Sequence, residues 1–132
     1  MKIEVGFVNS YIIPLPPIGK TKNGRHVTSV FYSREMDKEV TKIYIRSQHG
    51  NLPTFHSPIT LDVTFFTNPT EDRHFIENTY NTKTPTGINL YINLLECMKG
   101  IVFTEEKWIV NQNIKKYNSK NDRTEILLTV VR

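Results

Sequence analysis

The segment Ile88–Met98 constrains the fold of this 132-residue chain more than any other stretch. Tyr91, Leu94, Leu95 and Met98 recur at helical spacing, and Ile88, Leu90 and Ile92 add apolar surface on other sides. Such a helix is buried on more than one face. Gly100 stands where a helix stop is expected, and Lys99 in the last turn suits the helix dipole. Strand patterns flank this helix. Upstream, Ile59, Leu61, Val63 and Phe65 alternate with Thr60, Asp62, Thr64 and Phe66. Downstream, Trp108–Tyr117 and Thr124–Val131 read as strands joined by the turn Asn118–Asp122 into a hairpin beside the helix.

The N-terminal part has a simpler grammar. Ile3, Val5 and Phe7 alternate and Tyr11, Ile12 and Ile13 continue the apolar pattern, giving a strand or a hairpin pair that Pro14, Pro16 and Pro17 stop. A loop with Gly19 and Asn23-Gly24 as turn positions carries Lys20, Lys22, Arg25 and His26, and Val27–Tyr32 can return from it as a short strand. Ser33 then caps a helix whose Met36, Val40, Ile43 and Tyr44 make an apolar stripe ending near His49 and Gly50. Its charges, from Arg34 to Arg46, read as a solvated mixed face. Thr67–Gly87, rich in Asn, Thr and Pro, is long for a plain connection. The expected architecture is one α+β domain over residues 1–132: a mixed or antiparallel sheet with two helices, in the order strands, helix, strand, helix, two strands.

Composition narrows the class. Apolar residues make up 38% and charged residues 23%, which fits a globular domain. No run approaches a membrane span and the first residues lack the apolar core of a signal peptide, so a cytoplasmic location without membrane contact is the default. The single cysteine, Cys97, has no disulfide partner and reads as a packed thiol. His26, His49, His56 and His74 fall in expected loops without zinc-ligand spacing and read as surface residues. A net charge of +4 is compatible with nucleic acid.

The order of elements resembles the RusA family of Holliday-junction resolvases. That family carries an Asp-x-Asp-Asn-Leu run with a following lysine at a helix start, an acid near the helix end, a Gly-Ile/Val-Phe turn, an acidic pair and a basic strand. Asn89-Leu90, Glu96, Gly100-Ile101-Val102-Phe103, Glu105-Glu106 and Lys115-Lys116-Tyr117 fall in register with it. Pro14–Arg25 and Phe31-Tyr32-Ser33 match its N-terminal Pro-rich basic segment and the residues before its first helix. The two motif aspartates, however, align with Thr86 and Ile88, and the lysine aligns with Ile92.

Those departures bear on chemistry. A magnesium-dependent phosphodiesterase needs carboxylate oxygens converging on the ion, and threonine and isoleucine do not supply them. Glu106 stands at a metal-binding position of the family, with Glu105, Glu96 and Asp72 as further acids; Asn89 either braces the site or caps the helix. The resemblance implies a site reduced to Glu106, Glu96 and Asn89, magnesium only if activity survives, and DNA contacts through Lys20, Lys22, Arg25, Lys115 and Lys116. Adjacent strand residues point to opposite faces, so at most one of Lys115 and Lys116 meets a given DNA surface. It also implies a homodimer and DNA, including four-way junctions, as partner. Three readings follow: a non-cleaving DNA binder of phage or prophage origin, an active junction endonuclease with relocated carboxylates, or a nuclease fold reused to bind a protein.

Overall fold

A computed structural model of the chain describes residues 5–18, 28–69, 74–83 and 85–131. The order is β1 (Val5–Ile13), α1 (Thr28–His49), β2 (Ile59–Thr67), α2 (Gly87–Met98), a 3-10 turn (Glu106–Trp108), β3 (Ile109–Asn118) and β4 (Arg123–Val131). This is the expected α+β architecture. Of the expected strand Val27–Tyr32, Val27 lies outside the described residues and Thr28–Tyr32 form the first turns of α1, which places Ser33 inside the helix rather than at its cap. Lys20, Lys22, Arg25, His26 and Asp72 lie outside the described residues.

The sheet has the order β1-β4-β2-β3, with β2 parallel to β3 and antiparallel to β4. The expected β3–β4 hairpin is therefore not formed, because β2 lies between its two arms. The link from Asn118 to Arg123 crosses the end of β2, a span of two strand spacings or about 10 Å, within reach of so short a connection. Ser119, fully buried, donates its amide to Thr67 O at 2.9 Å as it passes, and Asn68 N donates to Asp122 Oδ1 at 2.6 Å.

Both helices cover one face of the sheet. Ile59, Leu61, Val63 and Phe65 of β2 and Ile126 and Leu128 of β4 meet Leu90, Leu94 and Met98 of α2 and Ile45 of α1 in one core. Cys97 is buried there, as expected, and burial pushes its thiol pKa up. Val8, Ile12 and Leu127 stand exposed on β1 and β4, where the alternation of each strand turns them away from that core. No described helix is long and apolar enough to cross a membrane.

α1 departs from its sequence pattern. Of the expected stripe Met36, Val40, Ile43 and Tyr44, the first three are exposed and Tyr44 packs against the core, while Thr41, Ile45 and His49 face inward. Ile45 in the core and specific polar bonds accompany this orientation. Gln48 donates to Ile12 O and accepts from Ile12 N, both at 2.6 Å, and so covers the edge of β1. Lys38 reaches Glu96 of α2 at 3.3 Å. His49, expected at the surface, is 5% exposed and ends the helix. Its Nε2 lies 3.0 Å from Pro53 O, which can only accept, so Nε2 carries the proton and Nδ1 accepts from the Tyr11 hydroxyl at 2.7 Å.

α2 is positioned at both ends. Thr86 caps it, its hydroxyl accepting from Asn89 N at 3.1 Å. Gly87 sits where an added Cβ would lie 3.4 Å from Ile114 of β3, so the helix starts hard against that strand. At the other end Gly100 takes φ +86°, and Val102 and Phe103 turn into the core.

Candidate functional site

A cleft opens between α2 and β3, the outer strand of the parallel pair. One half is lined by Ile88, Tyr91, Ile92 and Leu95 from α2, Glu106 from the 3-10 turn, and Ile109, Gln112, Asn113 and Ile114 from β3. Ile88, Asn113 and Ile114 also line a second half that continues to Tyr80, Lys83, Thr86, Lys115 and Lys116. The positions aligned with the two motif aspartates and the lysine thus stand together along one wall. Ile88 is 66% and Ile92 46% exposed, so both apolar side chains project into the opening rather than into the core.

The acids do not gather there. Glu106 is the one carboxylate lining the cleft among the described residues. Glu96 points to α1, paired with Lys38, and Glu105 pairs with Lys107 at 3.2 Å on the surface. Asn89 is not the helix cap, since Thr86 takes that role; its Oδ1 is buried without a hydrogen-bond partner among the described residues. The Tyr91 hydroxyl is unpartnered in the same sense, and burial, with the Glu106 charge adding to it, pushes its pKa up to about 12. Tyr91 is therefore a neutral phenol at physiological pH. Among the described residues no group of three His, Cys, Asp or Glu side chains is arranged to hold a metal ion. This donor set does not fit magnesium, which takes hard oxygen ligands in near-octahedral array.

The two strand lysines face opposite ways, as alternation requires. Lys115 meets Asp62 across the strands at 3.4 Å. Lys116 turns its ammonium to the carbonyls of Lys83 and Pro85, the latter at 2.6 Å, and burial lowers its pKa. It thereby ties the segment before α2 to β3.

The connection leading into α2 adds a feature that the sequence pattern did not single out. Asn78 N donates to Asn118 O, Asn118 N to Thr79 O and Asn81 N to Lys116 O, at 2.7–2.9 Å, so residues 78–81 pair along the outer edge of β3. Tyr80 bridges Tyr117 there. A loop rich in Asn and Thr has no periodicity to announce such pairing. Glu77 anchors its start, accepting from Ser119 Oγ at 2.8 Å and Lys120 N at 2.7 Å.

These bonds, Ser119 first and the Lys120 amide second, hold the Glu77 carboxyl below the ordinary glutamate pKa. A lowered folded-state pKa means that the anchor is complete above the ordinary glutamate value and is lost as pH falls through the folded value. The Lys120 amide proton resonance is expected to titrate at a pH below that of a free glutamate and to lose this step in Glu77→Gln. Titration at the ordinary value would show that the two bonds do not hold in solution.

The class these features define is a small α+β domain with an open cleft along a strand-helix-strand unit. The chain belongs to the RusA family: the model described as Endodeoxyribonuclease RusA matches residues 14–129. No curated protein matches the chain.

Proposed function

We propose that the chain is a RusA-type DNA-binding protein whose nuclease site is degenerate, binding branched or duplex DNA without cutting it. Its family is one of junction-directed, metal-dependent endonucleases. The observation that carries the reading is the composition of the cleft: Ile88 and Ile92 occupy the wall where the family places two of its charged side chains, leaving Glu106 as the described carboxylate. Affinity would come from cations on phosphates, Lys20, Lys22 and Arg25 among them, with Lys115 at the cleft's edge. A homodimer would present two such surfaces to the two sides of a junction.

The test is a gel assay with a labelled synthetic four-way junction, with and without magnesium or manganese. A shift that weakens as salt rises, without cleavage, is expected; alanine at Lys20, Lys22 or Arg25 should weaken it and flatten the salt dependence by about one counterion each. Magnesium-dependent nicking abolished by Glu106→Gln would instead establish an active enzyme. The exposure of Ile88 and Ile92 favours a protein-binding use of the same cleft as the second reading. No shift at low salt, with capture of a defined protein after nuclease treatment that Ile88→Asp abolishes, would support it.

A further inference from the structure

We propose that Tyr80, backed by Tyr117, is a stacking platform for an unpaired base of single-stranded DNA, with Lys83 and Lys115 beside it for the strand's phosphates. The inference rests on the DNA-binding reading above. Tyr80 is 72% exposed, yet its position is fixed by the backbone pairing of residues 78–81 with β3. Its ring stacks on Tyr117 with centroids 5.2 Å apart and planes 21° apart. Tyr117 in turn leans on Phe66 at 5.9 Å, and Arg123 lies over the Phe66 ring at 3.7 Å. One face of the Tyr80 ring is therefore occupied and braced, while the exposure of the residue leaves the other to solvent. A flat ring already held in place loses little freedom when a base stacks on it.

Charge around the ring indicates the ligand. The half of the cleft that begins at Tyr80 also takes in Lys83, Lys115 and Lys116. Lys116 is occupied with carbonyls and Lys115 shares its charge with Asp62, but Lys83 is exposed and makes no ion pair among the described residues. Aromatic rings beside cations recognise single strands in a sequence-tolerant way, because every base offers a π face. A base stacked within an intact duplex offers no free face of this kind, so the platform discriminates unpaired from paired DNA.

Fluorescence anisotropy with a short labelled oligothymidylate and a blunt duplex, at low salt, tests this. Tyr80→Ala is expected to weaken oligothymidylate binding about tenfold with an unchanged salt slope, to leave duplex binding within about twofold, and to be rescued by Tyr80→Trp. Lys83→Ala should instead flatten the salt slope. A Tyr80→Ala protein that melts like the unmodified chain and binds oligothymidylate equally well overturns the platform, as does equal weakening on duplex or a tryptophan that fails to rescue. Binding of the unmodified chain to duplex or junction but not to oligothymidylate also overturns it, leaving the DNA-binding reading intact. Absence of binding to all three DNAs overturns both.

Discussion

Replacing Thr86 and Ile88 by aspartate and Ile92 by lysine is expected to produce magnesium-dependent nicking of a four-way junction where the unmodified chain gives none. The fold should accept all three changes. Ile88 and Ile92 are 66% and 46% exposed, so a charge at either position keeps its hydration. Thr86 is the N-cap of α2, a position where aspartate caps at least as well and where negative charge suits the helix dipole. Stability should change by no more than about 0.5 kcal/mol for each substitution, the usual range at surface positions, and thermal melting checks it. With Glu106 on the opposite wall, the cleft would then hold three carboxylates, enough to bind a hard divalent ion and polarise a phosphate. Adding Glu106→Gln to the triple variant should abolish the nicking. A triple variant that folds and shifts junctions but never cuts them would show that these three side chains are not what silences the site.

The sequence carried the parts of the fold that depend on periodicity. β2 and α2 alternate and repeat cleanly, and the structure places them at Ile59–Thr67 and Gly87–Met98. Strand order was not legible, since Asn118–Asp122 has the composition of a hairpin turn whether its arms pair or straddle a third strand. The orientation of α1 departs from its apolar pattern for a different reason. Met36, Val40 and Ile43 make the stronger apolar pattern, but Gln48, His49 and Lys38 find partners on β1 and α2 that long-range geometry alone supplies. Thr86, Ile88, Ile92 and Glu106 line one cleft, because capping and the glycine turn fix where α2 begins and ends. That Glu96 and Glu105 turn to lysines, and that Tyr80 stacks on Tyr117, depends on which surfaces meet across the sheet edge. No local pattern encodes that.

Phe103→Ala is expected to cost about 3–5 kcal/mol. The ring is fully buried, beside Val102 and the base of α2. The turn around it is pinned from several directions: Gly100 N donates to Phe103 O at 2.8 Å, Phe55 N to Val102 O at 2.8 Å, and Thr104 N to Phe55 O at 2.9 Å. A turn held in this way cannot close over the space a phenyl ring leaves, which puts the penalty toward the upper end of the range. Against a typical domain stability of about 5–15 kcal/mol, this removes roughly a fifth or more. Urea denaturation should show a lower midpoint with an unchanged slope, and a loss under about 1 kcal/mol would mean that the turn collapses after all. The contrast with Ile88 is informative. Gly100, Val102 and Phe103 hold the end of α2 against the sheet, a requirement independent of catalysis. Ile88 and Ile92, facing an open cleft, carry no such structural duty, so the fold can exchange them for charged side chains.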